Sequence, residues 1–222
     1  MTTPSDLKLR VRRSGIVPVL TIEEVSHAVP VTAALIRGGL DVIEVTLRTS
    51  AALECIDAIA RADMGCIIGA GTVLTVEDVA AAQAAGAQFL VTPGSPDKLV
   101  AKLKTFNGAV IPGASNPTQA MNLYDLGFDF QKFFPAEPAG GAPYIKALHG
   151  PLPNIDFMPT GGIRIDTVET YLQLPNVIAI GGSWIAPPDI MRSKDWNEIQ
   201  SRAQRAFEIR LAISENDASD ND

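Results

Sequence analysis

The feature that most restricts this chain is a recurrence. Eight short, apolar, β-rich runs follow one another: GIVPVL at 15–20, DVIEVTL at 41–47, CIIGAGT at 66–72 and FLVTPG at 89–94, then AVIPGA at 109–114, DFQKFFPA at 129–136, DFMPTGG at 156–162 and VIAIGG at 177–182. Their starts lie roughly 20 to 27 residues apart, room for one strand, one helix and two short loops. Strands that alternate with helices at this spacing pair in parallel, because parallel neighbours need a crossover connection. Eight such units without a large insertion fit a single-domain (β/α)8 barrel, the TIM-barrel class of α/β folds, over residues 15–213. A doubly wound open sheet is the alternative. It usually has fewer strands, and no GxGxxG fingerprint follows the first run here. The chain has 222 residues, 46% of them hydrophobic, enough for one sizeable core.

Local signals mark the helix ends. Thr21 to Glu24 and Thr75 to Asp78 have the form of capping boxes. Ser95-Pro96 and Asn116-Pro117 place a capping side chain before a proline. Gly38-Gly39 and Gly86 fall where a helix stops. Pro30 should kink or restart the first helix after the first strand. The last helix is expected from about Trp196 to Ile213. Residues 1–14 read as a polar N-terminal segment, and 214–222 as an acidic, disordered tail.

Polar residues inside the apolar runs carry the chemistry. Along the second run side chains alternate faces, so Ile43, Val45 and Leu47 form one apolar set. Val42, Glu44, Thr46 and Arg48 form the other, facing the barrel interior. A carboxylate there is costly without a partner. Arg48 is the nearest in sequence, and a Glu44–Arg48 pair that only steadies the barrel top is the competing reading. In the sixth run Lys132 shares a face with Phe130 and Phe134. Removing an amine from water favours its neutral form, and a neutral amine is a nucleophile able to form a Schiff base. The alternative is an outward face on which Lys132 snorkels past a helix.

The remaining strand ends are small, polar and glycine-rich: Gly71-Thr72, Thr92-Pro93-Gly94, Pro112-Gly113, Thr160-Gly161-Gly162 and Gly181-Gly182-Ser183. Glycines let a ligand approach the backbone and expose its amides. The last two close the seventh and eighth strands, where barrels often hold phosphate. No Lys or Arg lies within 159–163 or 180–185. Amides of Gly161, Gly162, Gly182 and Ser183, with the Ser183 hydroxyl, would have to carry the anion. Plain tight turns are the other reading.

The net charge of −7 disfavours nucleic acid and anionic membrane surfaces as partners, so an anionic small molecule needs a local amide-lined pocket. Cys55 and Cys66 read as reduced thiols, and His27 and His149 as structural residues without metal-ligand spacing. No membrane span or signal segment is legible, which makes the cytoplasm the expected location. Trp184 reads as a lid or core residue.

These residues resemble a known family. From about Gly15 to Ile213 the chain is similar to 2-keto-3-deoxy-6-phosphogluconate (KDPG) aldolase, which also acts as 4-hydroxy-2-oxoglutarate (KHG) aldolase. The resemblance rests on the motifs IEVTLRT (43–49), GAGTVL (69–74), KFFPAE (132–137), PTGGI (159–163) and IGGSW (180–184). It implies Lys132 as the Schiff-base lysine and Glu44 as the proton-transfer carboxylate. Arg48 and Thr72 match residues holding the pyruvate carboxylate, and Pro93 and Phe134 match the pyruvate pocket. Thr160 matches a substrate-contacting hydroxyl, and Gly161, Gly162, Gly182 and Ser183 match the phosphate site. A substrate loop is implied at 138–144, with Pro138 and Pro143 stiffening it. The resemblance further implies a homotrimer, no metal or other cofactor, and a place in the Entner–Doudoroff breakdown of sugar acids. The galactonate epimer of the substrate, a phosphosugar isomerase or epimerase, and a non-catalytic phosphosugar-binding barrel are the alternatives.

Overall fold

The computed structural model describes residues 2–219. Each of the eight runs contains a strand. They are β1 (Ile16–Leu20), β2 (Val42–Thr46), β3 (Ile67–Gly71), β4 (Phe89–Val91), β5 (Ala109–Ile111), β6 (Gly113–Ala114), β7 (Phe130–Phe133), β8 (Asp156–Pro159) and β9 (Ile180–Gly182). The fifth run is split into β5 and β6 by Pro112, which has no N–H to give to the ladder. Its carbonyl still accepts from the Lys132 N–H at 2.9 Å, so the pairing passes the break.

The strands pair in parallel in the order β5-β4-β3-β2-β1-β9, and again as β6-β7-β8. Bridges from Phe157 to Val177 and from Thr160 to Gly181 join β8 to the β9 side. With β5 running on into β6, the sheet closes on itself as a (β/α)8 barrel. Alternation then sorts the side chains. Ile43, Val45, Ala70 and Leu90 face the surrounding helices, while Val42, Ile67, Phe89, Phe130 and Met158 fill the interior.

The helices are α1 (Pro4–Ser14), α2 (Val25–Arg37), α3 (Ala52–Ala62), α4 (Val76–Ala84), α5 (Asp97–Leu103), α6 (Pro117–Asp125), α7 (Gly141–His149), α8 (Val168–Leu172), α9 (Pro188–Ser193) and α10 (Trp196–Ser219). Thr75 and Asn116 cap α4 and α6 as expected, accepting from the N–H groups of Asp78 and Gln119. Gly39 and Gly86 take positive φ of 93° and 89° just past α2 and α4. Pro30 lies inside α2, which runs on without a restart.

Three expectations about local structure are corrected. Thr21 does not cap α2, which starts at Val25 behind Glu24; its hydroxyl lies 3.1 Å from that of Thr46 instead. Ser95 does not cap α5, because Pro96 takes the cap position and the Ser95 hydroxyl donates to the Gly113 carbonyl at 2.9 Å. The last helix passes Ile213 and continues to Ser219, with neither glycine nor proline after Ile213 to stop it; positions 220–222 lie outside the described residues.

The polar N-terminal segment is a helix. Thr3 and Asp6 form a capping box and Pro4 opens the first turn. Its apolar residues Leu7 and Val11 are buried in the interior cluster, closing the end of the barrel where the strands begin. Each such buried side chain contributes about 1.5–3 kcal/mol. Cations of the same helix reach the aspartates that precede or open strands. Lys8 meets Asp129 at 2.7 Å and Asp156 at 2.8 Å, and Arg13 meets Asp41 at 2.8 Å.

Candidate active site

Closing one end of the barrel leaves the other for chemistry. Of the residues singled out in the sequence, Glu44 and Lys132 stand inside β2 and β7, Gly182 ends β9, and Arg48, Thr72, Pro93, Phe134, Thr160, Gly161, Gly162 and Ser183 lie in the segments that follow strands. Parallel strands in a closed barrel bring these ends to one face.

Lys132 and Glu44, 88 positions apart in sequence, face each other across the interior, with Lys132 Nζ 3.4 Å from Glu44 Oε1. Lys132 is 5% exposed and Glu44 fully buried. Glu44 Oε2 is also buried and has no hydrogen-bond partner among the described residues. A buried carboxylate oxygen without a partner is costly unless something else engages it. The Lys132 ammonium also lies 5.5 Å from the Phe134 ring centroid. The competing Glu44–Arg48 pair is not formed. Arg48 lies beyond the end of β2, exposed, and its Nε donates to the Thr72 hydroxyl at 3.3 Å.

The room for this pair comes from β3. Register places Val19, Glu44 and Gly69 side by side across β1, β2 and β3. At Gly69 the ring of Phe89 fills the space where a side chain would stand, and at Gly71 the Glu44 carboxylate does. From sequence Gly71 reads as a polar strand end, without this steric role. The signal was present in the alternation: Ile67, Gly69 and Gly71 share the inward face. Thr72 then turns the chain at a φ of 58°, a conformation rare for a β-branched residue and one that fixes its hydroxyl at the mouth.

At the ends of β8 and β9 the backbone is open. Gly161 and Gly162 have positive φ of 105° and 84°. A Cβ at Gly162 would come within 2.7 Å of the Glu137 side chain. Tyr171 donates to Glu137 Oε1 at 2.5 Å; burial, and then this carboxylate, push the phenol above its ordinary range and keep it a donor. Thr160 is buried beside Gly181, and Ser183 is exposed just past β9. Trp184 is half-buried against the core, its carbonyl held by Arg202 Nη1 at 2.9 Å. The implied substrate loop begins as a hydrogen-bonded turn, with the Gly140 and Gly141 N–H groups bound to the carbonyls of Glu137 and Ala136, and it enters α7 at Gly141. A separate cleft lined by Leu7, Lys8, Phe106 and Phe130 lies at the opposite end and contains none of these residues. No helix of the described residues is long and apolar enough to cross a membrane.

Comparison with known proteins bears on this arrangement. The family model for KDPG and KHG aldolase matches residues 7–202. A 2-dehydro-3-deoxy-phosphogluconate aldolase of Pseudoalteromonas atlantica is 48% identical over 191 residues, 86% of this chain and 89% of that protein. The KHG/KDPG aldolase of Escherichia coli K12 is 41% identical over 193 residues, 87% of this chain and 91% of that one. Among solved structures, the KDPG aldolase of Legionella pneumophila, with pyruvate captured as a covalent carbinolamine intermediate, superposes with a TM-score of 0.88. It has 36% identity and covers 92% of this chain and 98% of its own. The KDPG aldolase of Zymomonas mobilis ZM4, with 3-phosphoglycerate, gives a TM-score of 0.85 at 38% identity, covering 92% and 96%. On the extent of these matches, the chain belongs to the KDPG and KHG aldolase family and is an aldolase, a lyase.

Proposed function

We propose that the chain cleaves 2-dehydro-3-deoxy-6-phosphogluconate to pyruvate and glyceraldehyde 3-phosphate through a Schiff base on Lys132. The observation that carries this reading is the buried Lys132–Glu44 pair, with one carboxylate oxygen unengaged. Glu44 takes a proton from the Lys132 ammonium, and the freed amine attacks the C2 ketone. Glu44 returns that proton to the carbinolamine hydroxyl, which leaves as water and gives a protonated imine. Glu44, directly or through one water, then removes the C4 hydroxyl proton. The C3–C4 bond breaks, its electrons move through C3 to the imine nitrogen, and the aldehyde leaves. The resulting enamine takes a proton back at C3, and hydrolysis releases pyruvate and the free lysine.

Arg48 and Thr72, already hydrogen-bonded to each other, are proposed to hold the C1 carboxylate, Arg48 through a charge-assisted bond. Pro93 and Phe134 line the pyruvate end, and Thr160 contacts the substrate chain. Gly161, Gly162, Gly182 and Ser183 bind the phosphate through backbone N–H groups and one hydroxyl. In the Legionella neighbour pyruvate is captured covalently, which supports the imine chemistry proposed for this chain. We infer that 4-hydroxy-2-oxoglutarate is split as well, by the same steps without a phosphate contact. The enzyme is further proposed to work in the cytoplasm as a homotrimer.

The test is incubation with pyruvate and borohydride. The wild-type chain should gain one reduced pyruvate adduct at Lys132. Lys132→Ala should remain folded, lose the adduct and lose aldol cleavage. Strong trapping that survives in Lys132→Ala overturns the assignment.

A further inference from the structure

Thr21 follows the last residue of β1 and continues its inward-facing series. Val17 belongs to the interior cluster, Val19 stands in register with Glu44, and Thr21 comes next on that side, half-buried at the open mouth. Its hydroxyl oxygen lies 3.1 Å from that of Thr46, which shares the inward face of β2 with Glu44. The Thr46 hydroxyl is also 2.8 Å from the Leu20 carbonyl, which can only accept. The single Thr46 proton is spent there, so Thr21 donates to Thr46. This relay leaves the Thr21 oxygen with acceptor capacity only.

Strand order sets what that acceptor faces. β1 pairs with β2, which carries Glu44, on one side, and with β9, which carries Gly182, on the other. A substrate with its C4 hydroxyl at Glu44 and its phosphate at the ends of β8 and β9 runs its C5–C6 segment past the end of β1. We propose that Thr21 is a specificity-determining residue that accepts a hydrogen bond from the substrate's C5 hydroxyl. In the synthetic direction this is the C2 hydroxyl of the aldehyde phosphate. The proposal rests on the substrate orientation given under Proposed function.

The test compares two acceptor aldehydes with pyruvate: glyceraldehyde 3-phosphate, and 3-oxopropyl phosphate, which lacks that hydroxyl. The wild-type enzyme should prefer the first in kcat/KM. Thr21→Val should reduce this preference about tenfold, the scale of one neutral hydrogen bond. Thr21→Ser, which keeps the acceptor, should retain it. Thr21→Ala serves in place of the valine variant if the latter does not fold. An unchanged preference, or equal slowing with both aldehydes, overturns the proposal and leaves Thr21 only bracing Thr46. Failure of the underlying reading looks different: wild-type enzyme that is not trapped by pyruvate and borohydride and does not use glyceraldehyde 3-phosphate overturns both.

Discussion

Gly71 holds open the space that the Glu44 carboxylate fills: a Cβ at residue 71 would overlap Glu44 Oε1. The base of the proposed mechanism therefore owes its position to a missing side chain on the next strand. Gly71→Ala should displace the carboxylate and slow aldol cleavage by on the order of 10²-fold or more, the scale of a lost general base. It should also cost about 1–3 kcal/mol of stability through overpacking. Steady-state cleavage rates and a thermal melt measure the two effects. Wild-type turnover in a folded Gly71→Ala protein would show that the observed carboxylate position is not needed.

Glu44→Gln keeps the shape of the side chain and removes its basicity. Borohydride trapping of pyruvate should persist at a reduced level, because imine formation can draw on water for proton transfer. Cleavage and exchange of the pyruvate methyl protons should fall by roughly 10² to 10⁴-fold. Proton exchange followed by NMR is the direct measure, and a wild-type exchange rate would move the proton-transfer role to another group.

Phosphate recognition is expected to be a backbone effect at the ends of β8 and β9. Gly162 is a poor test site, because its positive φ and its contact with Glu137 make any side chain there strained. Ser183 is exposed and cleaner. Ser183→Ala should lower kcat/KM for the phosphorylated substrate by roughly 1 kcal/mol and leave cleavage of 4-hydroxy-2-oxoglutarate less affected. Gly182→Val should show the same selectivity more strongly, by filling space beside Trp184. Equal losses with both substrates would remove these residues from phosphate binding.

Lys8 ties α1 to Asp129 and Asp156. Partial burial works against its charge, but the two aspartates outweigh this and raise its pKa above the ordinary 10.5. A raised folded-state pKa means that the stabilisation is complete below the unfolded value and is lost as pH rises through the folded one. Lys8→Met should lower stability at neutral pH by up to about 1 kcal/mol, since the pair is partly screened. The gap between wild type and variant should narrow at pH values above 10.5. Denaturant melts across that range would contradict this if the gap stayed constant.

Much of this protein was legible in its sequence because the relevant signals are local. Spacing of apolar runs set the βα alternation, and alternation within two of them turned Glu44 and Lys132 inward. The capping side chains of Thr75 and Asn116 set the starts of their helices. What the sequence could not decide were partners separated along the chain. Glu44 meets Lys132 and not the nearby Arg48, because barrel closure brings β2 and β7 to face each other while Arg48 lies beyond the strand end. Thr21 reads as a helix cap by spacing, yet its hydroxyl is held by Thr46 of the adjacent strand. The polar segment before β1 hides a helix whose buried Leu7 and Val11 close the barrel floor, and its burial is visible only once that floor exists. Local chemistry selects elements within a few residues. Which side chains share a buried space depends on the closed sheet that brings strand ends together.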